Sequence, residues 1–109
     1  MNEAGEAERR ARDAAMRLLG VRARSVVEMR RRLRRKSFPT DVIEGVIGEL
    51  RDRGLLDDEA FAGAWVRERI RRRPRGRFAL VQELRKRGID RARAEAAVDR
   101  VLAEEDVSE

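Results

Sequence analysis

The chain contains no cysteine and no histidine. The first absence removes disulfides and thiolate zinc sites, and with them any pointer to an oxidising compartment. The second removes the commonest metal ligand and the commonest general base at neutral pH. Aromatic residues are 4% of the 109, so a core has to be assembled from Ala, Val, Leu and Ile. No apolar run approaches the ~20 residues a bilayer-spanning helix needs. The N-terminal MNEAGEAERR lacks the apolar segment of a secretory signal. A cytoplasmic location is expected, with no membrane association. No Walker-type glycine loop occurs; RPRGR at 73–77 has a single glycine and reads as a turn. No serine or threonine has a base placed beside it: Ser25 reads as a helix cap and Ser108 lies in the tail. The chain is therefore expected to be no enzyme and to carry no cofactor and no metal.

What the sequence has instead is charge and helical periodicity. Charged residues are 44% of the chain, well above the ~25% of an average domain. The balance is 27 basic to 21 acidic residues, a net charge of +6. All basic residues except Lys36 and Lys86 are arginine. A GC-rich coding sequence explains that bias as well as selection for function does. Either way, guanidinium suits phosphate and carboxylate partners.

Apolar residues recur at i, i+3, i+4 and i+7, the pattern of amphipathic helices. The spacing predicts an all-α chain of about six helices, over roughly 7–20, 25–36, 40–53, 58–72, 77–87 and 91–104. Val42, Ile43, Val46, Ile47 and Leu50 mark the third most cleanly. Gly45 and Gly48 within it either permit close helix approach or are tolerated drift. Phe78, Leu80, Val81 and Leu84 mark the fifth, and Trp65 falls on the apolar stripe of the fourth.

The chain also matches itself when shifted by 51 residues. Ala11 falls on Ala62, Met29 on Leu80, Leu33 on Leu84, Phe38 on Ile89, Ile47 on Val98 and Leu50 on Val101; Arg22 and Arg24 fall on Arg73 and Arg75. Tandem repeats of three helices each account for this, stacked into an elongated, right- or left-curved array. The expected units are 7–54 and 55–104, with flexible tails at 1–6 and 105–109. A five-residue apolar spacing recurs at helix ends: Leu33 with Phe38 across Ser37, Leu50 with Leu55 across Gly54, Leu84 with Ile89 across Gly88. That is the signature of a helix closed by a left-handed residue.

Residues 54–62, GLLDDEAFA, place three carboxylates side by side. Consecutive helical residues splay by roughly 100° each, so the three cannot converge on one metal ion unaided. An architectural role fits every residue. Gly54 stops one helix, Asp57 caps the next, and Asp58 and Glu59 oppose the positive end of its dipole. Leu56 and Phe61 have the spacing of a hydrophobic staple.

Two segments are nearly pure in positive charge. Residues 22–36, RARSVVEMRRRLRRK, hold eight basic residues and one acid; residues 67–77, RERIRRRPRGR, hold seven and one. Such surfaces attract a polyanion or an acidic protein groove. No DNA-reading helix, zinc finger or aromatic stacking platform accompanies them, so phosphate contact without base readout is expected. The candidate partner or phosphate-binding residues are Arg22, Arg24, Arg30, Arg31, Arg34, Arg35, Lys36, Arg71, Arg72, Arg73, Arg75, Arg77, Arg85 and Lys86.

Three segments in fixed order, RARSVVEM (22–29), GLLDDEAFA (54–62) and ELRKRGID (83–90), resemble the RecX family of recombinase regulators, and the resemblance extends over 10–103. It implies tandem three-helix repeats that bind the RecA filament, lie along its groove and restrain its ATPase and strand exchange, in the control of DNA repair and recombination. Some members also bind DNA. The implied partners are thus the RecA filament and single- or double-stranded DNA; the chain itself is expected to be a monomer. Three departures stand out. Most members carry a third repeat, where this chain has two; Ser37 stands where the family usually has glycine, and Ala60 where many have arginine. Two other readings stay open: a non-specific DNA-binding module, and a helical adaptor for another acidic partner.

Overall fold

The computed structural model describes residues 3–73 and 76–107. Within them lie six helices and no strand: α1 (Glu3–Val21), α2 (Val26–Arg35), α3 (Thr40–Asp52), α4 (Asp58–Arg72), α5 (Arg77–Lys86) and α6 (Arg91–Val107). The chain is all-α, as its periodicity predicts. The outer helices run further than expected. Residues 3–6 and 105–107, expected as flexible tail, are helical. At the first end Glu3 and Glu6 occupy the first turn, where acids favour the dipole, and Glu6 pairs with Arg9 and Arg10 one turn on.

The helices form two compact units that divide between Asp57 and Asp58. In the first, α1 and α2 both pack on α3, and α1 touches α2. Its core is Ala11, Ala14, Ala15, Leu18, Met29, Leu33, Val42, Ile43, Val46, Ile47, Leu50 and Leu56, with Phe38 and Val26 at the margin. In the second, α4 and α5 pack on α6 and on each other, around Phe61, Ala62, Val66, Leu80, Val81, Leu84, Ile89, Ala94, Ala97, Val98 and Val101. Positions matched by the 51-residue shift are buried in both units: Ala11 and Ala62, Met29 and Leu80, Leu33 and Leu84, Leu50 and Val101 all have no exposed surface. Truncating any of the leucines among them to Ala is expected to cost about 2–5 kcal/mol.

The three expected helix stops are all present. Ser37, Gly54 and Gly88 have φ of 67°, 74° and 93°. After each, the chain's next N–H returns to a carbonyl five residues back: Phe38 to Leu33 at 3.4 Å, Leu55 to Leu50 at 2.8 Å, Ile89 to Leu84 at 3.1 Å. The residue at the left-handed position itself donates to Arg34, Arg51 and Arg85, completing a Schellman motif each time. The side chains depart from expectation at one of the three: Leu55 is 39% exposed, and its neighbour Leu56, 2% exposed, enters the core instead.

Helix α4 begins at Asp58, which puts Asp57 at the N-cap position and Asp58 and Glu59 in the first turn. Among the described residues no group of His, Cys, Asp or Glu is disposed to hold a metal ion. Of the expected staple residues, Leu56 is buried in the first core and Phe61 in the second.

Phe78 is also corrected. It was expected on the core face of α5, yet it is 76% exposed. Leu80, Val81 and Leu84 already fill the buried face, and Phe78 precedes them on the outer side of the first turn. Gly45 and Gly48 are exposed, and a Cβ at either would meet nothing within 4 Å. Close helix approach is therefore not their purpose.

Candidate partner-binding surface

Helix α2 opens with a capping box. Ser25, fully buried, accepts a hydrogen bond at Oγ from the Glu28 N–H at 3.1 Å, and Glu28 Oε1 accepts from the Ser25 N–H at 3.2 Å. Met29 and Leu33 anchor the helix to the core. With these positions turned inward, the remaining side chains of 30–36 are forced outward, and all of those at 30, 31, 32, 34, 35 and 36 are basic. The C-terminal placement of Arg32, Arg34 and Arg35 also suits the negative end of the helix dipole.

The predicted basic residues divide into paired and unpaired sets. Arg30 forks onto Glu44 of α3, Nε to Oε2 at 2.7 Å and Nη2 to Oε1 at 3.0 Å. That bond holds the Glu44 carboxyl below its ordinary value, partial burial working against it. Arg22 forks onto Glu28, both contacts at 3.1 Å, and donates to the Ala23 carbonyl at 2.8 Å. Arg77 forks onto Asp99 of α6 at 2.7 and 3.1 Å and lowers the Asp99 carboxyl by the same hydrogen bond. Arg71 and Arg72 share Glu68 at 3.2 and 2.7 Å on the exposed side of α4. By contrast, Arg31, Arg34 and Arg35 on α2 and Lys36 at its C-cap, with Arg73, Arg85 and Lys86 in the second unit, are exposed and form no ion pair among the described residues. Arg75 lies outside the described residues.

Arg24 is a correction of a different kind. Counted from sequence as a surface cation, it is only 7% exposed. Burial holds its guanidinium below its ordinary value; Arg22 and Arg32 push the same way, and Glu28 opposes them. Arg32 was missed by sequence reasoning although it sits in the same basic run, exposed and without an ion pair among the described residues. Its place in the unbroken basic run 30–32, off the Met29–Leu33 stripe, was the signal.

Other arginines serve the fold. Arg12 joins α1 to α3 through Glu49 at 2.9 Å, Arg67 joins α4 to α6 through Glu104 at 3.0 Å, and Arg69 joins α4 to α5 through Glu83 at 2.8 Å. Together with Arg30–Glu44 and Arg77–Asp99 these lace the helix pairs, though exposed pairs are individually weak. Trp65 is half-buried at the edge of the second core. It stacks on Phe61 with ring centroids 6.2 Å apart, and the Arg87 guanidinium lies over its ring 4.2 Å from the centre. Both contacts tie the ring to its own three-helix unit. A groove of about 940 Å³ between the start of α1 and the α2–α3 turn is lined by both signs of charge, Glu3, Glu6 and Asp41 against Arg10 and Lys36, and so favours no single class of ligand.

No helix among the described residues is long and apolar enough to cross a membrane. The arrangement that remains is a surface of unpaired guanidinium and ammonium groups on α2, held rigidly by a capped, core-anchored helix. Such a surface attracts anions through long-range field and short-range forked hydrogen bonds.

Comparison with known proteins agrees with the two-unit architecture. Residues 11–50 match the model of the RecX first three-helix domain, and residues 57–98 that of the RecX second three-helix domain. The chain is 43% identical over 83 residues to "Regulatory protein RecX" of Mycolicibacterium smegmatis, covering 76% of this chain and 44% of that protein. It is 42% identical over 92 residues to the protein of the same name from Pelodictyon phaeoclathratiforme, covering 84% and 55%. The crystal structure of RecX from Lactobacillus salivarius superposes with a TM-score of 0.83 at 28% identity, over 86% of this chain and 61% of that one. The chain thus spans about half the length of the curated relatives it matches. Two matched three-helix domains in order, identity above 40% and a shared fold place this chain in the RecX family.

Proposed function

We propose that the chain binds the RecA nucleoprotein filament and restrains its recombinase and ATPase activities, acting by binding rather than by catalysis. The two repeat units, 7–54 and 55–104, form the binding body, and the unpaired basic surface of α2 is its principal contact. Membership of a family whose members are named regulatory proteins supports the reading. The observation that carries it to particular residues is the run Arg31, Arg32, Arg34, Arg35 and Lys36, exposed and free of ion pairs among the described residues. A filament of protein on nucleic acid presents the dense negative charge such a surface matches.

The test is fluorescence anisotropy of the labelled chain titrated with RecA filaments assembled on single-stranded DNA. Saturable binding is expected, weakened at least tenfold by the combined variant Arg31→Glu, Arg34→Glu, Arg35→Glu. No binding of the wild type to filaments would contradict the proposal. The same unpaired run also favours a second reading, direct association with DNA. It predicts binding to bare single-stranded DNA with log affinity falling linearly in log salt, and absence of binding at low salt would eliminate it.

A further inference from the structure

Ser37 holds a conformation that its own side chain does nothing to stabilise. Its φ is 67°, in a region that disfavours a residue with a Cβ and is open to glycine. Under the 51-residue shift it falls on Gly88, and the remaining left-handed helix stop is Gly54. The Ser37 N–H donates to the Arg34 carbonyl at 2.9 Å, but the hydroxyl makes no hydrogen bond among the described residues, and the residue is exposed. Its turn is also the loosest of the three. The closing bond from the Phe38 N–H to Leu33 is 3.4 Å long, against 2.8 and 3.1 Å at the two glycine stops. Directly before the hydroxyl stand Arg34, Arg35 and Lys36, all exposed and without an ion pair among the described residues. A backbone outlier with no structural return points to a use outside the fold.

We propose that Ser37 is a phosphorylation site, the acceptor for a serine kinase with an acidic substrate groove, and that its modification weakens anion binding by α2. In the transfer, Ser37 Oγ forms a bond to the γ-phosphorus of a nucleoside triphosphate. The bond from that phosphorus to the β–γ bridging oxygen breaks, the nucleoside diphosphate leaves with the electron pair, and the hydroxyl proton passes to a base of the kinase. Arg34, Arg35 and Lys36 supply the charge by which such a groove selects its substrate, and the loose turn lets the segment open locally into the cleft. The second unit repeats the three cations as Arg85, Lys86 and Arg87 but offers no acceptor at Gly88. Ser25 is buried and bonded to the Glu28 N–H, and Thr40 has no cation in the three positions before it. A phosphate brings nearly two negative charges at neutral pH. Ser37 shares a groove with Glu3, Glu6 and Asp41 as well as with Arg10 and Lys36, so the groove does not neutralise the addition, which subtracts from the positive field of α2. This consequence rests on the binding role proposed for α2; the modification itself does not.

The test incubates the full chain with magnesium ATP and the catalytic subunit of cAMP-dependent protein kinase, a kinase with an acidic substrate groove, and maps phosphate by mass spectrometry. Two variants accompany it: Ser37→Gly, which relieves the strained turn, and the pair Arg34→Gln, Arg35→Gln. Wild type is expected to take phosphate on Ser37, Ser37→Gly to take none in this segment, and the paired variant to react about tenfold more slowly. No phosphate on Ser37 of the wild type, phosphate on Thr40 in its place, or an unchanged rate in the paired variant would each overturn the proposal. Modified and unmodified chains are then compared on immobilised heparin and on RecA filaments. The phosphorylated chain is expected to leave heparin at lower salt and to bind filaments about tenfold more weakly, with Ser37→Gly matching the unmodified wild type in both. Equal heparin elution before and after phosphorylation would overturn the effect on α2. A wild-type chain that ignores filaments yet loses heparin affinity on phosphorylation would support the site and contradict only the filament reading.

Discussion

Ser37 shows what a single residue reveals at the smallest scale. It holds φ of 67°, a region that costs a residue with a Cβ about 1 kcal/mol. Gly54 and Gly88 fill the same role without that cost. Ser37→Gly is therefore expected to stabilise the chain by about 1 kcal/mol, read as a rise in Tm of several degrees. Gly45 and Gly48 lead to the opposite substitution. Both are exposed within α3 with open space at the Cβ position, so Gly45→Ala and Gly48→Ala are each expected to add up to ~1 kcal/mol, measured by urea unfolding. The left-handed positions were legible in the sequence because an apolar pair five residues apart brackets a small residue at each. The burial of Arg24 was not legible. A charge run is read as solvated, and only the structure shows that Arg24, its second cation, is covered.

At the scale of the helix, caps and charge set the boundaries. Ser25→Ala removes the hydroxyl of the capping box and should cost ~1 kcal/mol, and Asp57→Ala at the N-cap position of α4 a similar amount; melts of the two variants check both. An unchanged Tm for Asp57→Ala would refute the capping role of the acidic triplet. The helices themselves were legible because an apolar stripe of period 3.6 survives even where 44% of residues are charged. The binding surface was legible only in outline. Whether an arginine is free depends on acids distant in sequence: Glu44 neutralises Arg30 from 14 positions away and Asp99 neutralises Arg77 from 22. The second basic segment loses most of its free charge to such distant acids and to Glu68 within it, while α2 keeps Arg31, Arg32, Arg34 and Arg35 out of ion pairs among the described residues.

For the whole molecule, net charge of +6 and the absence of histidine govern the response to pH. The carboxyls of Glu44, Asp99 and Glu104 are held below their ordinary values by hydrogen bonds from Arg30, Arg77 and Arg67. Groups lowered by folding stabilise the fold above their ordinary range and lose that contribution as pH falls through the lowered values. Tm is therefore expected to be flat from pH 8 to about 5 and to fall below about pH 4, followed by circular dichroism. Arg30→Met should make that fall shallower. The central claim concerns RecA, and single-strand-DNA-dependent ATP hydrolysis by RecA tests it most directly. Wild-type chain at near-equal ratios to RecA should slow hydrolysis, the α2 reversal of Arg31, Arg34 and Arg35 to Glu should abolish most of that effect, and reversal of the Glu68-paired Arg71 and Arg72 should leave most of it. Undiminished hydrolysis at a large excess of wild-type chain would contradict the account.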